Sequence, residues 1–253
     1  MFNPVDIEKV YEDYINKQNE KNREERYKGN EHYFQASNSG NCARKIYYSS
    51  VDNVYPTNPP DKRSSRLLRL GTIVHEDLQS AFTNIVNYNR YLLKKEKEVK
   101  EKKFEVHMEK EIQIPEFNVR GFYDLVIECN DKVYLYDFKT MASFSWSLKF
   151  GRKYKSPNQS DHQELQLGTY GYGIKKEFGR LDGMFLCYYK KDDSRMKVIP
   201  VSLDYVDKAK RFWKNVNEEI KGGLPMFNLG VSPASSWNCR YCQFYDHCRP
   251  PSF

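Results

Sequence analysis

Between Arg120 and Lys139 the chain sets Asp124, Asp137 and Lys139 within two largely apolar and aromatic runs. The runs read as two short strands, 120–128 and 132–139, joined at a turn around Asn130-Asp131. The two-residue period of a strand puts Val133, Leu135, Asp137 and Lys139 on one face and Tyr134, Tyr136 and Phe138 on the other. Asp124 lies on the neighbouring strand, within Gly121-Phe-Tyr-Asp124 and just before Leu125-Val126-Ile127. A carboxylate in such surroundings is costly to bury unless it is paired or holds a metal. Two acids and a lysine converging on one strand pair suit a metal-dependent phosphodiesterase. The carboxylates bind a hard cation such as Mg²⁺ or Mn²⁺. The lysine orients a water or stabilises charge on the phosphate. A strand-end Asp–Lys ion pair is the plainer alternative, because D-x-K is a short pattern.

The flanking segments alternate helix and strand signals. Residues 5–28 have helical spacing, with Ile7, Val10, Tyr11, Tyr14 and Ile15 on one stripe. Ser39 or Asn41 is the expected cap of a helix carrying Cys42, Arg44 and Tyr48, and 49–65 reads as a loop. Residues 66–91 form the longest amphipathic pattern, with Leu67, Leu70, Ile73, Val74, Leu78, Ala81, Phe82 and Ile85 recurring at three- and four-residue steps. His75 lies beside that stripe, where a histidine is more often a core or surface residue than a ligand. The charge run 94–103 reads as a solvated linker or helix end.

Residues 104–115 read as a further strand. Alternation puts Glu105, His107, Glu109 and Glu111 on one face and Val106, Met108, Lys110 and Ile112 on the other. Glu111 is preferred over Glu109 as an additional carboxylate because it lies nearer the Gly121 hairpin. After Lys139, a Ser- and Trp-containing segment leads into a loop with Lys153, Tyr154 and Lys155, the basic–aromatic mixture that suits single-stranded nucleic acid. Ordinary loop chemistry accounts for it nearly as well. Residues 161–177 are helical and bring Gln166 and Tyr170 to one face. Strands at 181–189 and 197–203 and a helix at 205–221 follow.

The C-terminal segment carries a second signal. Cys239-Arg-Tyr-Cys242 and Cys248 fall within ten residues, amid Trp237, Tyr241, Phe244 and Tyr245. Such clustering points to a soft-metal site that wants a fourth ligand. Cys129 and Cys187 sit in expected strands and read as core residues, which leaves Cys42, with His247 as runner-up. Zinc and an iron–sulfur cluster both fit such a ligand set.

The chain has 253 residues, room for one large α/β domain or two small ones, and a net charge of +7 that suits a phosphate-bearing partner. It has no apolar run long enough for a membrane span, and residues 1–22 lack the apolar core of a secretion signal. A cytoplasmic location is expected, in which cysteines serve as ligands or buried thiols rather than disulfides.

Taken in order, these motifs resemble the RecB-like branch of the PD-(D/E)XK nucleases. Gly121-x-x-Asp124, Asp137-x-Lys139 and Gln166-x-x-x-Tyr170 fall in that branch's order and approximate spacing, and His75 falls where it has an upstream histidine. Cys42 in Cys42-Ala-Arg-Lys-Ile-Tyr-Tyr48, with the three late cysteines, looks like its iron–sulfur members. Those include CRISPR-associated RecB-like exonucleases, the AddB nuclease domain and virus-encoded relatives. The resemblance implies a restriction-endonuclease-like core, a central mixed β-sheet flanked by helices, occupying 37–253 after an N-terminal helical extension over 1–36. It implies that His75, Asp124, Asp137 and the Phe138 carbonyl bind Mg²⁺ or Mn²⁺, with Glu111 acting through water. Lys139 would activate the nucleophilic water, and Gln166 and Tyr170 would hold the DNA backbone, with Arg44 as a further phosphate contact. Cys42, Cys239, Cys242 and Cys248 would hold a 4Fe-4S cluster joining the two ends of the chain. The implied activity is exonucleolytic, on single-stranded DNA or DNA ends, with a protein partner from recombination or CRISPR adaptation.

Overall fold

The computed structural model describes residues 6–27, 33–51, 54–83, 104–151, 161–226, 239 and 241–248. The expected helical turns beyond residue 83, the charge run 94–103 and the Lys153, Tyr154 and Lys155 loop lie outside them. In chain order the elements are α1 (Ile7–Tyr27), β1 (Phe34–Gln35), α2 (Ala43–Ser50), α3 (Lys62–Thr83), β2 (Phe104–Ile114), β3 (Val119–Cys129) and β4 (Lys132–Met141). There follow α4 (Ser143–Phe150), α5 (His162–Glu177), β5 (Gly183–Lys190), β6 (Met196–Val201), α6 (Asp204–Ile220) and the short α7 (Tyr245–Cys248).

The strands form one mixed sheet in the order β1-β3-β4-β5-β6, with β2 paired to β3. Asn130 and Asp131 both have positive φ, 51° and 58°, which makes the tight β3–β4 turn expected at these residues. β4 and β5 are parallel, so the chain must cross over between them, and α4 and α5 form that connection.

Apolar clusters cover both faces of the sheet. On one, Leu135, Met184, Leu186 and Tyr188 pack with Leu167 and Ile174 of α5 and with Trp213 and Val216 of α6. On the other, Leu125, Ile127, Phe138 and Cys187 pack with Leu78 and Phe82 of α3. The helices flanking the sheet are thus held by burial of its two faces. Phe34 and Ala36, within the extension expected over 1–36, belong to the first cluster.

Several sequence expectations need correction. Of the α1 stripe only Ile15 is buried, while Ile7, Val10, Tyr11 and Tyr14 are exposed. On α3, Leu67, Leu70 and Ile73 are exposed, and the packing begins further along at Leu78 and Phe82. The first turn of α3 instead faces α1, where Glu12 pairs with Lys62 and Arg66. The cap of α2 is Cys42, not Ser39 or Asn41. The Ser39 hydroxyl is buried and donates to the Ala36 carbonyl. α4 lacked a local signal because its first amide, that of Ser143, is satisfied at 2.6 Å by the distant carboxylate of Asp192.

The largest departure is in β2 and β3. Ile112 and Tyr123 reach the α5 cluster, whereas Met108 and Leu125 reach the α3 cluster. The residue numbers on each strand share one parity, so the face alternation shifts by one between them. The shift coincides with Glu109, whose φ is 48°. A left-handed residue inside a strand re-aims the side chains around it, and here it faces Asp124.

Candidate active site

β3 and β4 pair from Cys129↔Lys132 to Leu125↔Tyr136. Beyond that point Asp124 substitutes for the ladder: its Oδ2 accepts the Phe138 amide at 2.6 Å. The same oxygen lies 2.9 Å from His75 Nε2. α3 delivers His75 from the opposite face, and the ring stands edge-on to Phe138 at 5.7 Å and 83°. The approach needs Gly71, since a Cβ there would lie 2.8 Å from Thr140 Oγ1 at the end of β4. His75 Nδ1 is 3.9 Å from Glu109 Oε1, and Gln79, one helical turn after His75, donates to the same Glu109 oxygen. His75, Glu109 and Asp124 each offer a ligand atom within 4.8 Å of the others.

Asp137, 1% exposed, projects from β4 beside this group. Its Oδ2 lies 2.6 Å from Lys139 Nζ but has no well-aligned hydrogen-bond donor. Lys139 Nζ donates to Gln166 Oε1 at 3.0 Å, and Gln166 Nε2 to Tyr170 Oη at 3.3 Å. α5 comes this close to the sheet because residue 121 is glycine: a Cβ there would lie 2.7 Å from Ala36 Cβ and 2.8 Å from Tyr170 Cε1. The site therefore sits where β3 and β4 part, with α3 reaching it from one face and α5 from the other.

The electrostatics suit a cation. Burial is the main cause that pushes the Asp137 carboxyl up, to about 7; Asp124 adds to it and Lys139 opposes it. Burial disfavours the charged form of Lys139, but Asp137 and Asp124 outweigh it and hold the ammonium protonated. Burial likewise disfavours protonated His75, and the hydrogen bond and charge of Asp124, with Glu109 and Asp137 behind, reverse the balance upward. A buried carboxyl pushed up in this way is one whose ionised form a divalent ion restores. The donor set of imidazole nitrogen and carboxylate oxygens, including the poorly satisfied Asp137 Oδ2, fits a divalent metal ion.

The structure thus brings together His75, Asp124, Asp137, Phe138, Lys139, Gln166 and Tyr170. It does not bring Glu111, whose carboxylate pairs with Arg120 at 2.8 Å and accepts from Gln113 at 2.7 Å. Glu109 stands there instead. Counting back from the Pro115–Asn118 turn, the observed register Ile114↔Val119 places Glu109 opposite Asp124, a pairing that strand alternation alone does not reveal. Arg44 lies elsewhere, donating to the Pro225 carbonyl at 3.0 Å and to Tyr48 Oη at 3.2 Å.

The C-terminal cysteine segment is tied to the N-terminal part of the chain. The amides of Thr57 and Asn58 both donate to the Gln243 carbonyl, Tyr48 Oη donates to the His247 carbonyl, and His247 Nε2 meets the Tyr55 carbonyl at 3.0 Å. Burial, and then the thiols of Cys42, Cys242 and Cys248, push the Cys239 thiol up. Cys187 is buried in the sheet as expected.

A model of the PD-(D/E)XK nuclease superfamily matches residues 83–249, more than half of the chain, and the chain belongs to that superfamily. It is accordingly a metal-dependent nuclease with DNA as its class of substrate. The crystal structure of SSO0001 aligns over 96% of this chain and 96% of its own at 19% identity and a TM-score of 0.52, a likeness of fold. A protein from Eubacterium rectale, provisionally named an exonuclease, aligns over 77% of this chain and 85% of its own, with 13% identity and a TM-score of 0.39. No match is found among the curated proteins. Among the described residues no helix is long and apolar enough to cross a membrane.

Proposed function

We propose that this nuclease is an exonuclease acting on single-stranded DNA or DNA ends, through the site at the parted ends of β3 and β4. The observation that carries the reading is the group formed by His75, Glu109 and Asp124, with Asp137 and Lys139 paired at 2.6 Å on β4. His75, Glu109, Asp124 and Asp137 would hold a Mg²⁺ or Mn²⁺ ion, with the Phe138 carbonyl as a further ligand. When bound, the ion supplies Lewis-acid polarisation of the scissile phosphate. Lys139, kept protonated by its acidic neighbours, positions the attacking water and donates to developing charge. Gln166 fixes the ammonium by accepting from it, and Tyr170 fixes Gln166 in turn. Exonucleolytic action is supported by the order of motifs shared with the RecB-like branch.

The same reading assigns a 4Fe-4S cluster, with zinc as the alternative, to Cys42, Cys239, Cys242 and Cys248. Its support is the clustering of three of these cysteines in the sequence and the hydrogen bonds that join the C-terminal segment to residues 48–58. The Lys153, Tyr154 and Lys155 loop is proposed as a DNA contact on composition alone.

The test is digestion of end-labelled linear DNA and closed circular DNA with Mn²⁺ or with EDTA. Metal-dependent release of short products from linear DNA, with circles intact, is expected. Cutting of circles would replace exonuclease by endonuclease, and no metal-dependent cutting would overturn the reading. Iron and zinc analysis of anaerobically purified protein separates the two cofactors.

A further inference from the structure

On the α5 face of the sheet, registered positions form a row running outward from the site. Lys139 on β4 is opposite Tyr188 on β5, and Tyr188 is opposite Lys197 on edge strand β6. Directly opposed residues share a face, so a cation stands at either end of the row with an aromatic ring between. α4 covers the middle: Phe150 meets Tyr188 edge-on at 5.2 Å, and Lys149 Nζ lies 4.9 Å over the Tyr188 ring. Lys197 Nζ lies 4.4 Å over Phe150, and Arg195 lies 6.0 Å over Trp146. Lys149 and Arg195 also pair with Glu164 and Asp193. Among the described residues Lys197 has no carboxylate partner. At the start of α4, five residues after Lys139, Phe144 is 75% exposed.

Tyr188 itself is buried beneath α4, so the groups this side offers to solvent are the Lys197 ammonium and the Phe144 ring, a cation and a ring that match the chemistry of one nucleic-acid strand. Ammonium groups contact successive phosphates, and an exposed ring stacks an unpaired base. A duplex offers no free base face to Phe144. We propose that a single DNA strand reaches the site along the α4–β6 side, with Lys197 contacting its backbone and Phe144 stacking one of its bases. The proposal rests on the nuclease reading and names the path of its substrate.

The experiment is fluorescence anisotropy of a labelled single strand and of the matching duplex in EDTA at several salt concentrations. The proteins are wild type, Lys197→Glu, Phe144→Ala and Lys132→Glu, the last making the same charge change at the far hairpin. Lys197→Glu is expected to weaken single-strand binding about tenfold or more, and to flatten its log–log salt slope by roughly 0.7 or more. Phe144→Ala is expected to weaken single-strand binding about tenfold and leave duplex binding unchanged. Both substituted residues are exposed, and thermal melting verifies that the variants fold. If wild type cleaves with Mn²⁺ but Lys197→Glu binds like Lys132→Glu, the path is wrong and the nuclease reading stands. Equal loss on duplex for Phe144→Ala overturns the single-strand assignment. Wild type that neither binds nor cleaves DNA removes both.

Discussion

Lys139 owes its position to two neighbours of opposite kind: Asp137, two residues away on the same strand face, and Gln166 across on α5. Neither contact depends on Lys139 to hold the sheet together. Lys139→Ala should therefore fold and bind metal while cleaving DNA about 10² to 10⁴ times more slowly, as typical for loss of one group acting in the transition state. Steady-state cleavage beside Mn²⁺ titration checks it, and wild-type rates would remove Lys139 from the chemistry. The two glutamates of β2 make a sharper contrast. Glu109→Gln should raise the Mn²⁺ concentration needed for half-maximal cleavage, whereas Glu111→Gln should leave it unchanged, because Glu111 is engaged with Arg120. The reverse ranking would put Glu111 at the metal site in place of Glu109.

The elements meet where side chains are small or absent. A Cβ at Gly121 would stand within 2.8 Å of Ala36 and Tyr170 atoms. Gly121→Ala should cost about 1–3 kcal/mol by overpacking, read from a denaturant midpoint, and should lower activity by displacing Tyr170; an unchanged midpoint would contradict the close packing. The link between α5 and the turn before β3 is electrostatic. The hydrogen bond from Lys176, joined by that of Tyr172, holds the Glu116 carboxyl down to about 2 from an ordinary 4.5. A depressed carboxylate contributes stability that is present above its unfolded value and lost as pH falls through the folded one. Glu116 is exposed, so solvent screening limits the contribution to about 1 kcal/mol or less. The melting difference between wild type and Glu116→Gln should be constant at neutral pH and shrink between about 4.5 and 2; a difference that persists at the acid end would contradict the pairing. The hairpin of β3 and β4 was legible because its turn residues and apolar alternation agree. The site was legible in Asp124, Asp137 and Lys139, since charge in an apolar strand is conspicuous. Glu109 was not, because alternation puts it on one face with Glu111 and only the register Ile114↔Val119 sets Glu109 opposite Asp124. The α1 and α3 stripes misled because amphipathic spacing states which side is apolar, not how much of it is covered.

Across the whole molecule the two ends of the described chain are fastened together by the Tyr48, Thr57 and Asn58 hydrogen bonds to residues 243–247. If Cys42, Cys239, Cys242 and Cys248 share a metal, the closure spans most of the chain and constrains the unfolded state strongly. Cys42→Ser should then lower the melting temperature and the bound iron or zinc about as much as Cys239→Ser does, while Cys187→Ser leaves metal content unchanged. Retained metal in Cys42→Ser would remove Cys42 from the set. The active site draws on β3 and β4, on α3 from one face and on α5 from the other, so it exists only in the assembled sheet. The most direct measurement of the central claim is Mn²⁺-dependent cleavage of end-labelled DNA by Asp124→Ala and Asp137→Ala, with DNA binding measured in parallel in EDTA. Loss of cleavage in both variants, with binding retained, is the predicted result. Normal cleavage by either variant at the wild-type metal dependence would contradict the site.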